Sequence, residues 1–150
     1  MTTFARCEMP DSGELPDALV DTSVAVAVAI EDHPHHLAAL QATSGRRLGL
    51  CGHACFETYS VLTRMPAPLR RTPASVVRLL RRDFPHTRFL SHAGAGRLLG
   101  ELPALGLGGG AVYDALVAAC AREHALPLIT RDRRALGTYR ALEIELESLI

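Results

Sequence analysis

Leu19-Val20-Asp21-Thr22-Ser23-Val24-Ala25-Val26-Ala27-Val28-Ala29-Ile30 is the stretch that decides the fold. Two apolar residues run into an acid, and the acid into two hydroxyl residues ahead of an Ala/Val-rich run. Leu19-Val20 reads as a short strand stopped at Asp21. Thr22 and Ser23 are capping residues, so the remainder, to about Ile30, reads as a helix. A strand that turns at once into a helix is half of a crossover unit, and it leaves Asp21 at the strand's carboxyl end.

The same alternation recurs along the chain. His35 to about Thr43 reads as a helix with Leu37 and Leu40 on one side. After the turn Gly45-Arg46-Arg47, Leu48 to Cys51 reads as a buried strand. A helix then runs from about Ala54 to Arg64, where Pro66 and Pro68 end it. Thr72 caps a fourth helix with Pro73 in its first turn and Val76, Val77, Leu79 and Leu80 as its apolar stripe. Thr87 to Leu90 is expected as a third strand, followed by a helix over about Gly94 to Glu101. Gly108-Gly109-Gly110 precedes an apolar helix from about Ala111 to His124. Leu126 to Thr130 is the next strand, and Pro127 suggests irregularity or an exposed edge at its start. A helical turn near Arg133–Leu136 and a last strand at Leu142 to Ile144 complete the reading. Strands alternating with helices imply a parallel α/β sandwich with crossover helices.

The 150 residues suit one domain, and the 48% hydrophobic and 21% charged content suits a packed core. All sixteen basic residues are Arg. The absence of Lys excludes a P-loop, a kinase site and Schiff-base chemistry, each of which needs a Lys amine. The net charge of zero hides segregation: residues 1–60 hold eight acids and three Arg, residues 61–97 eight Arg and one acid, residues 98–150 seven acids and five Arg. In the basic middle, Arg70, Arg71, Arg78, Arg81 and Arg82 lie on or beside the polar face of the Pro73 helix. That row is either a solvated helix face or a rim that contacts phosphates.

Residues 1–17 read as an irregular extension, polar and acidic rather than basic-then-apolar, so no secretory leader is expected. Val24 to Ile30 is too short to span a bilayer. A cytoplasmic protein with reduced thiols follows as the expectation for Cys7, Cys51, Cys55 and Cys120. Cys51-Gly-His-Ala-Cys55 lacks the second Cys/His pair of a zinc site. His33-Pro-His35-His36 resembles a ligand cluster, but reads as the polar approach to the next helix. The Gly108–Gly110 run lacks the context of a phosphate cradle and reads as a loop that lets the chain pass close to the following helix.

In open parallel sheets, ligands bind beyond the carboxyl ends of the strands. Asp21 ends the first strand and Asp132 follows the Leu126–Thr130 strand by two residues. Glu57 lies in the first two turns of a helix that follows a strand, and Asp114 in the first turn or so of the helix after the glycines. Taken singly, each acid is readily a cap or half of an ion pair. Four acids converging on one edge repel each other unless a cation neutralises them. Oxygen donors suit a hard divalent ion, Mg2+ or Mn2+. Such an ion beside an Arg-rich rim points to phosphodiester hydrolysis, in which the metal polarises a phosphoryl oxygen and activates water. With 5% aromatics, recognition by stacking platforms is not expected.

Leu-Val-Asp21-Thr-Ser-Val, Phe-Glu57-Thr-Tyr-Ser-Val-Leu-Thr-Arg, Gly-Gly-Ala-Val-Tyr-Asp114-Ala-Leu-Val-Ala-Ala and Leu-Ile-Thr-Arg-Asp132-Arg-Arg together resemble a PIN domain over about residues 18–150. More narrowly, the chain resembles a VapC toxin of a type II toxin–antitoxin pair. The resemblance implies a three-layer α/β/α sandwich with a mainly parallel central sheet. It implies a Mg2+- or Mn2+-dependent endoribonuclease acting on tRNA or ribosomal RNA, with Asp21, Glu57, Asp114 and Asp132 as catalytic and metal-binding residues, and Ser23 and Thr130 as supporting hydroxyls. It also implies a homodimer and a VapB-like antitoxin that occludes the acidic pocket. The chain departs from the family at its first sixteen residues, at Arg133-Arg134-Ala135-Leu136 where an acidic-aromatic continuation is commoner, and in using Arg where the family often uses Lys. Two other readings remain at this point: a PIN module that binds RNA or antitoxin without catalysis, and a metal-dependent phosphoesterase on another substrate.

Overall fold

The computed structural model describes residues 15–150; the greater part of the expected N-terminal extension, with Cys7, lies outside the described residues. Its first element is the strand β1 (Ala18–Val20), followed by the helices α1 (Thr22–Ala29) and α2 (His36–Thr43). Then come β2 (Leu48–Leu50), α3 (Gly52–Arg64), α4 (Pro73–Asp83), α5 (His92–Leu105), α6 (Ala111–Glu123), β3 (Leu128–Thr130), α7 (Leu136–Ala141) and β4 (Leu146–Ser148). The four strands form one sheet in the order β2-β1-β3-β4, and every pairing is parallel. All side chains of β1, β2 and β3 are buried, so helices cover both faces of the sheet, as parallel sheets require.

The strand order matters for function. From β1 the chain steps to one side to make β2, and later returns to the other side of β1 to make β3. The connections therefore leave β1 and β3 in opposite directions, which opens a crevice at their carboxyl ends. Asp21 immediately follows β1, and Thr130 is the last residue of β3.

Several expected boundaries shift. The strand expected at Thr87–Leu90 shrinks to a single parallel bridge between Cys51 and Arg88. The Thr87 hydroxyl takes the Leu50 N–H at 3.0 Å, a donor that a regular ladder would need. The same segment runs so close to β2 that a Cβ on Gly49 would stand 2.0 Å from the His86 carbonyl oxygen, so only glycine fits there. The strand expected at Leu142–Ile144 forms instead at Leu146–Ser148. Leu142 is buried at the end of α7, and Glu143 turns the chain with φ 57°, so pairing starts only beyond them. The helical turn expected at Arg133–Leu136 gives way to a helix that begins at Leu136.

The helix expected at Gly94–Glu101 runs from His92 to Leu105, capped by the Ser91 hydroxyl, which accepts the Gly94 N–H at 3.0 Å. It continues past Pro103 and stops at Gly106, whose left-handed φ of 65° ends it. Pro127 does not mark a sheet edge. It precedes β3, an interior strand, and its carbonyl accepts the Leu19 N–H at 2.9 Å. On α2, Ala39 and Thr43 face the core while Leu37 and Leu40 are exposed. Among the described residues, no helix is long and apolar enough to cross a membrane.

Candidate active site at the sheet's carboxyl end

Asp21 is the centre of the site. It is buried, at 4% exposure, and caps α1 by accepting the Val24 N–H at 3.3 Å. The Ser23 hydroxyl donates to its Oδ1 at 2.5 Å. Thr130 donates to Oδ2 at 2.5 Å and Tyr139 donates to the same oxygen at 3.0 Å. These donors come from three places: the carboxyl end of β1, the last residue of β3, and α7. Burial pushes the Asp21 carboxyl above the ordinary carboxylate value, and the bonds from Ser23, Thr130, Tyr139 and Val24 pull against that shift.

The supporting hydroxyls also fix the neighbouring loop. Ser23 Oγ accepts the Arg131 N–H at 2.8 Å, and Thr130 Oγ1 accepts the Asp132 N–H at 3.0 Å. Asp132 then folds back on its own turn, its Oδ1 accepting the Arg134 N–H at 2.9 Å. A chain of side-chain-to-backbone bonds thus links Asp21 to Asp132 across β1 and β3.

Glu57, exposed in the second turn of α3, and Asp132 line one cavity of about 400 Å3 together with Thr22 and Ser23. Asp114 is half-buried in the first turn of α6. Its carboxyl is raised first by burial and then by the negative charges of Asp132, Glu57 and Asp21, in that order, with Arg134 opposing. Asp114 therefore lies within electrostatic reach of the other three acids.

This donor set, oxygen only and mutually repulsive, fits a hard divalent cation in its chemistry. In the side-chain positions adopted here, no three His, Cys, Asp or Glu residues among the described ones stand close enough to share an ion. Cys51, Cys55 and Cys120 are free thiols, and Cys51 and Cys120 are buried in the core.

The α4 arginines stand elsewhere. Arg70 and Arg71 line a separate cleft of about 540 Å3 with Glu31 and Asp32. Arg70 donates to the Met65 carbonyl at 2.8 Å and Arg71 to the Ala29 carbonyl at 2.8 Å. Arg82 pairs with Asp83 at 2.7 Å. That cleft is larger than the cavity at the acids, but it lacks their chemistry, so volume does not choose the site.

Sequence reasoning missed Tyr139, Arg131 and Arg134, and set His33 aside. Tyr139 belongs to a helix that the sequence showed only as a turn, and its hydroxyl was the available signal: a buried Tyr needs a partner. His33 was read as part of a loop, and with His35 it lines the same cavity as Glu57 and Asp132.

Residues 18–141 match the family described as PIN domain. The chain is a member of the PIN-domain family. Within that family its relatives carry VapC names. It is 44% identical over 129 residues to Ribonuclease VapC27 of Mycobacterium tuberculosis, which covers 86% of this chain and 94% of that protein. It is 42% identical over 132 residues to Ribonuclease VapC40 of the same species, covering 85% and 95%. The fold matches the crystal structure of VapBC2 from Rickettsia felis bound to a promoter DNA fragment, with TM-score 0.64 and 15% identity over 89% of this chain and 98% of that one.

Proposed function

We propose that this PIN-domain chain is the toxin of a type II toxin–antitoxin pair. In this reading it is a Mg2+- or Mn2+-dependent endoribonuclease that cuts structured RNA, tRNA or ribosomal RNA, in the cytoplasm. The observation that carries the reading is the cavity that holds Glu57 and Asp132 beside the buried Asp21, with Asp114 near enough for the charges of all three to raise its carboxyl. The ribonuclease names of the two relatives support the substrate class.

Asp21, Glu57, Asp114 and Asp132 would hold the ion. When bound, it supplies a Lewis acid for a phosphoryl oxygen and lowers the pKa of the attacking water. The chain's own residues do the rest. Ser23, Thr130, Tyr139 and the Val24 N–H hold both Asp21 oxygens in fixed directions, so that Asp21 itself is set before the other acids close on an ion. Asp132 is held by its Asx-like turn onto Arg134 N–H. Glu57 is exposed and free to adjust its rotamer. The arginines just before and on α4 (Arg70, Arg71, Arg78, Arg81, Arg82) add positive potential that attracts RNA over a Debye length.

The inhibitory partner in this reading is a VapB-like antitoxin. An apolar groove of about 410 Å3 between α3 and α4, lined by Phe56, Tyr59, Val77, Leu80 and Phe89, supports a docked partner segment. Exposed Leu37 on α2 and Leu99 on α5 support a homodimer.

The test is RNA cleavage by the purified protein with Mg2+ or Mn2+, set against Asp21→Asn and Asp114→Asn. Both variants are expected to lose cleavage and to relieve growth inhibition on expression. Full activity in either one would overturn the assignment.

A further inference from the structure

The cavity that holds Glu57 and Asp132 has a second wall of opposite character. His33, His35, Arg131 and Arg134 line it. Their closeness is electrostatic as well as geometric: His33 is held below the ordinary imidazole value first by desolvation, then by the charges of His35, Arg131 and His36. The rings of His33 and His35 lie 5.8 Å apart.

Two of these groups, His33 and Arg131, are held in place. His33 Nδ1 accepts the His35 N–H at 3.1 Å, which leaves the proton of the neutral ring on Nε2 as a donor. Arg131 is fixed at both ends. Its backbone N–H donates to Ser23 Oγ at 2.8 Å and its Nη1 to the Leu149 carbonyl at 2.9 Å. The rest of its fork keeps further N–H donors, a geometry suited to phosphate oxygens. Arg134 has a side chain that is 94% exposed and rests 3.6 Å from Asp132 Oδ1, a loose pair that a stronger anion can displace.

We propose that this imidazole and guanidinium wall is the subsite for the RNA phosphate next to the one that is cut. The inference rests on the ribonuclease reading. A cavity with carboxylates on one side and donors on the other takes a cation and a phosphate side by side, and its volume of about 400 Å3 suits one nucleotide's phosphate and ribose. The close grip on the substrate backbone then belongs to the β3–α7 loop and the α1–α2 loop. The arginines of α4 act at longer range.

The test is binding of a fluorescent single-stranded RNA oligonucleotide to the full chain at a fixed Mg2+ concentration. The Asp114→Asn background prevents cleavage. Arg134→Ala, an exposed position, keeps the test clear of misfolding, and His33→Ala/Arg134→Ala removes two donors. Arg97→Ala on α5 is the charge-matched control. The double variant is expected to raise Kd about tenfold at about 0.1 M salt, and the loss of the Arg134 charge to lower the slope of log K against log salt by about 0.7. Arg97→Ala is expected to leave both unchanged.

An affinity within about twofold of the parent with an unchanged slope overturns the subsite, as does a parent that binds no RNA. A parent that binds through this wall but cuts no RNA with Asp114 restored overturns the ribonuclease reading and keeps the subsite. A chain that cuts RNA while the double variant binds normally does the reverse.

Discussion

Asp21 and Arg82 are both charged side chains next to apolar helix faces. Asp21 is buried and receives hydrogen bonds from Thr130 and Tyr139, 109 and 118 residues away in sequence, as well as from Ser23 and the Val24 N–H. Arg82 is three-quarters exposed and pairs with its own neighbour, Asp83. Asp21 is therefore held by contacts that exist only when the whole domain is folded, whereas Arg82 is held locally. A group fixed by long-range contacts has one geometry to offer. A group fixed by its neighbour offers charge without direction. The carboxyl end of the sheet is where position-dependent chemistry belongs, and α4 is where steering belongs.

Substitutions at the two regions should separate these roles. The largest expected effect is at Asp21 itself, where Asp21→Ala strands the Thr130 and Tyr139 hydroxyls without an acceptor and removes a proposed metal ligand. Loss of RNA cleavage, together with a clear drop in Tm, is expected. An Asp21→Ala protein of parental stability would show that the buried network holds nothing together.

Tyr139→Phe is the next step down. It removes one donor from Asp21 and leaves the others, and losses at groups that orient metal ligands typically run about 10–100-fold in activity or metal affinity. The acid side of the pH–rate profile should also move to higher pH, because one bond that holds the Asp21 carboxylate charged is gone. An unchanged profile would place Tyr139 outside the site's chemistry.

Asp114→Asn should reduce function and raise stability together. The folded-state carboxyl of Asp114 is raised above its ordinary value of 3.8 by burial and three like charges. A raised acid favours the folded chain while it is protonated, below the unfolded value, and that advantage is lost as pH climbs through the folded value. The Tm of Asp114→Asn should therefore exceed the parent's by an amount that widens from about pH 4 to about pH 7 in metal-free buffer. Added Mn2+ should narrow or reverse the gap, since it stabilises the parent by binding its folded state. A gap that ignores both pH and Mn2+ would mean that the acids do not share a field.

The smallest effect is expected at α4. Arg78→Ala should weaken RNA binding only slightly and lower the salt slope by at most about 0.7, with kcat intact. A collapse of kcat there would break the division between the two regions.

Much of this was legible in the sequence, for identifiable reasons. The strand–acid–hydroxyl run at Leu19–Ser23 fixes its own local structure: a buried strand has to stop where the charge begins, and Asp21 both stops it and caps α1. Thr72-Pro73 is equally self-contained, and α4 begins where that pair says. The segment at Thr87–Leu90 misled because its outcome was settled by tertiary contacts. Thr87 spends its hydroxyl on Leu50, and Gly49 lets the His86 backbone come too close for a regular ladder.

The last strand was displaced by Glu143, whose left-handed backbone is not signalled by its residue type. At the site, the four acids stood out as candidates because each follows a strand or lies near the start of a helix, and Glu57 and Asp132 do line one cavity. Tyr139 did not, because the path of α7 brings it there rather than any local pattern, and His33 stood out only as one of a histidine cluster that reads as the polar approach to α2. The family match spans residues 18–141, a stretch that includes all four acids.

The central claim is that four carboxylates, Asp21 and Asp132 just after β1 and β3 and Glu57 and Asp114 near the starts of α3 and α6, make a divalent-ion site that cuts RNA. Calorimetric titration of Mn2+ into the purified chain and into Asp114→Asn, followed by RNA cleavage in the same samples, tests it most directly. The account predicts saturable binding and cleavage by the parent, both lost on chelation and both lost or strongly weakened in Asp114→Asn. Cleavage that persists in chelator, or Mn2+ affinity that Asp114→Asn leaves unchanged, would contradict it.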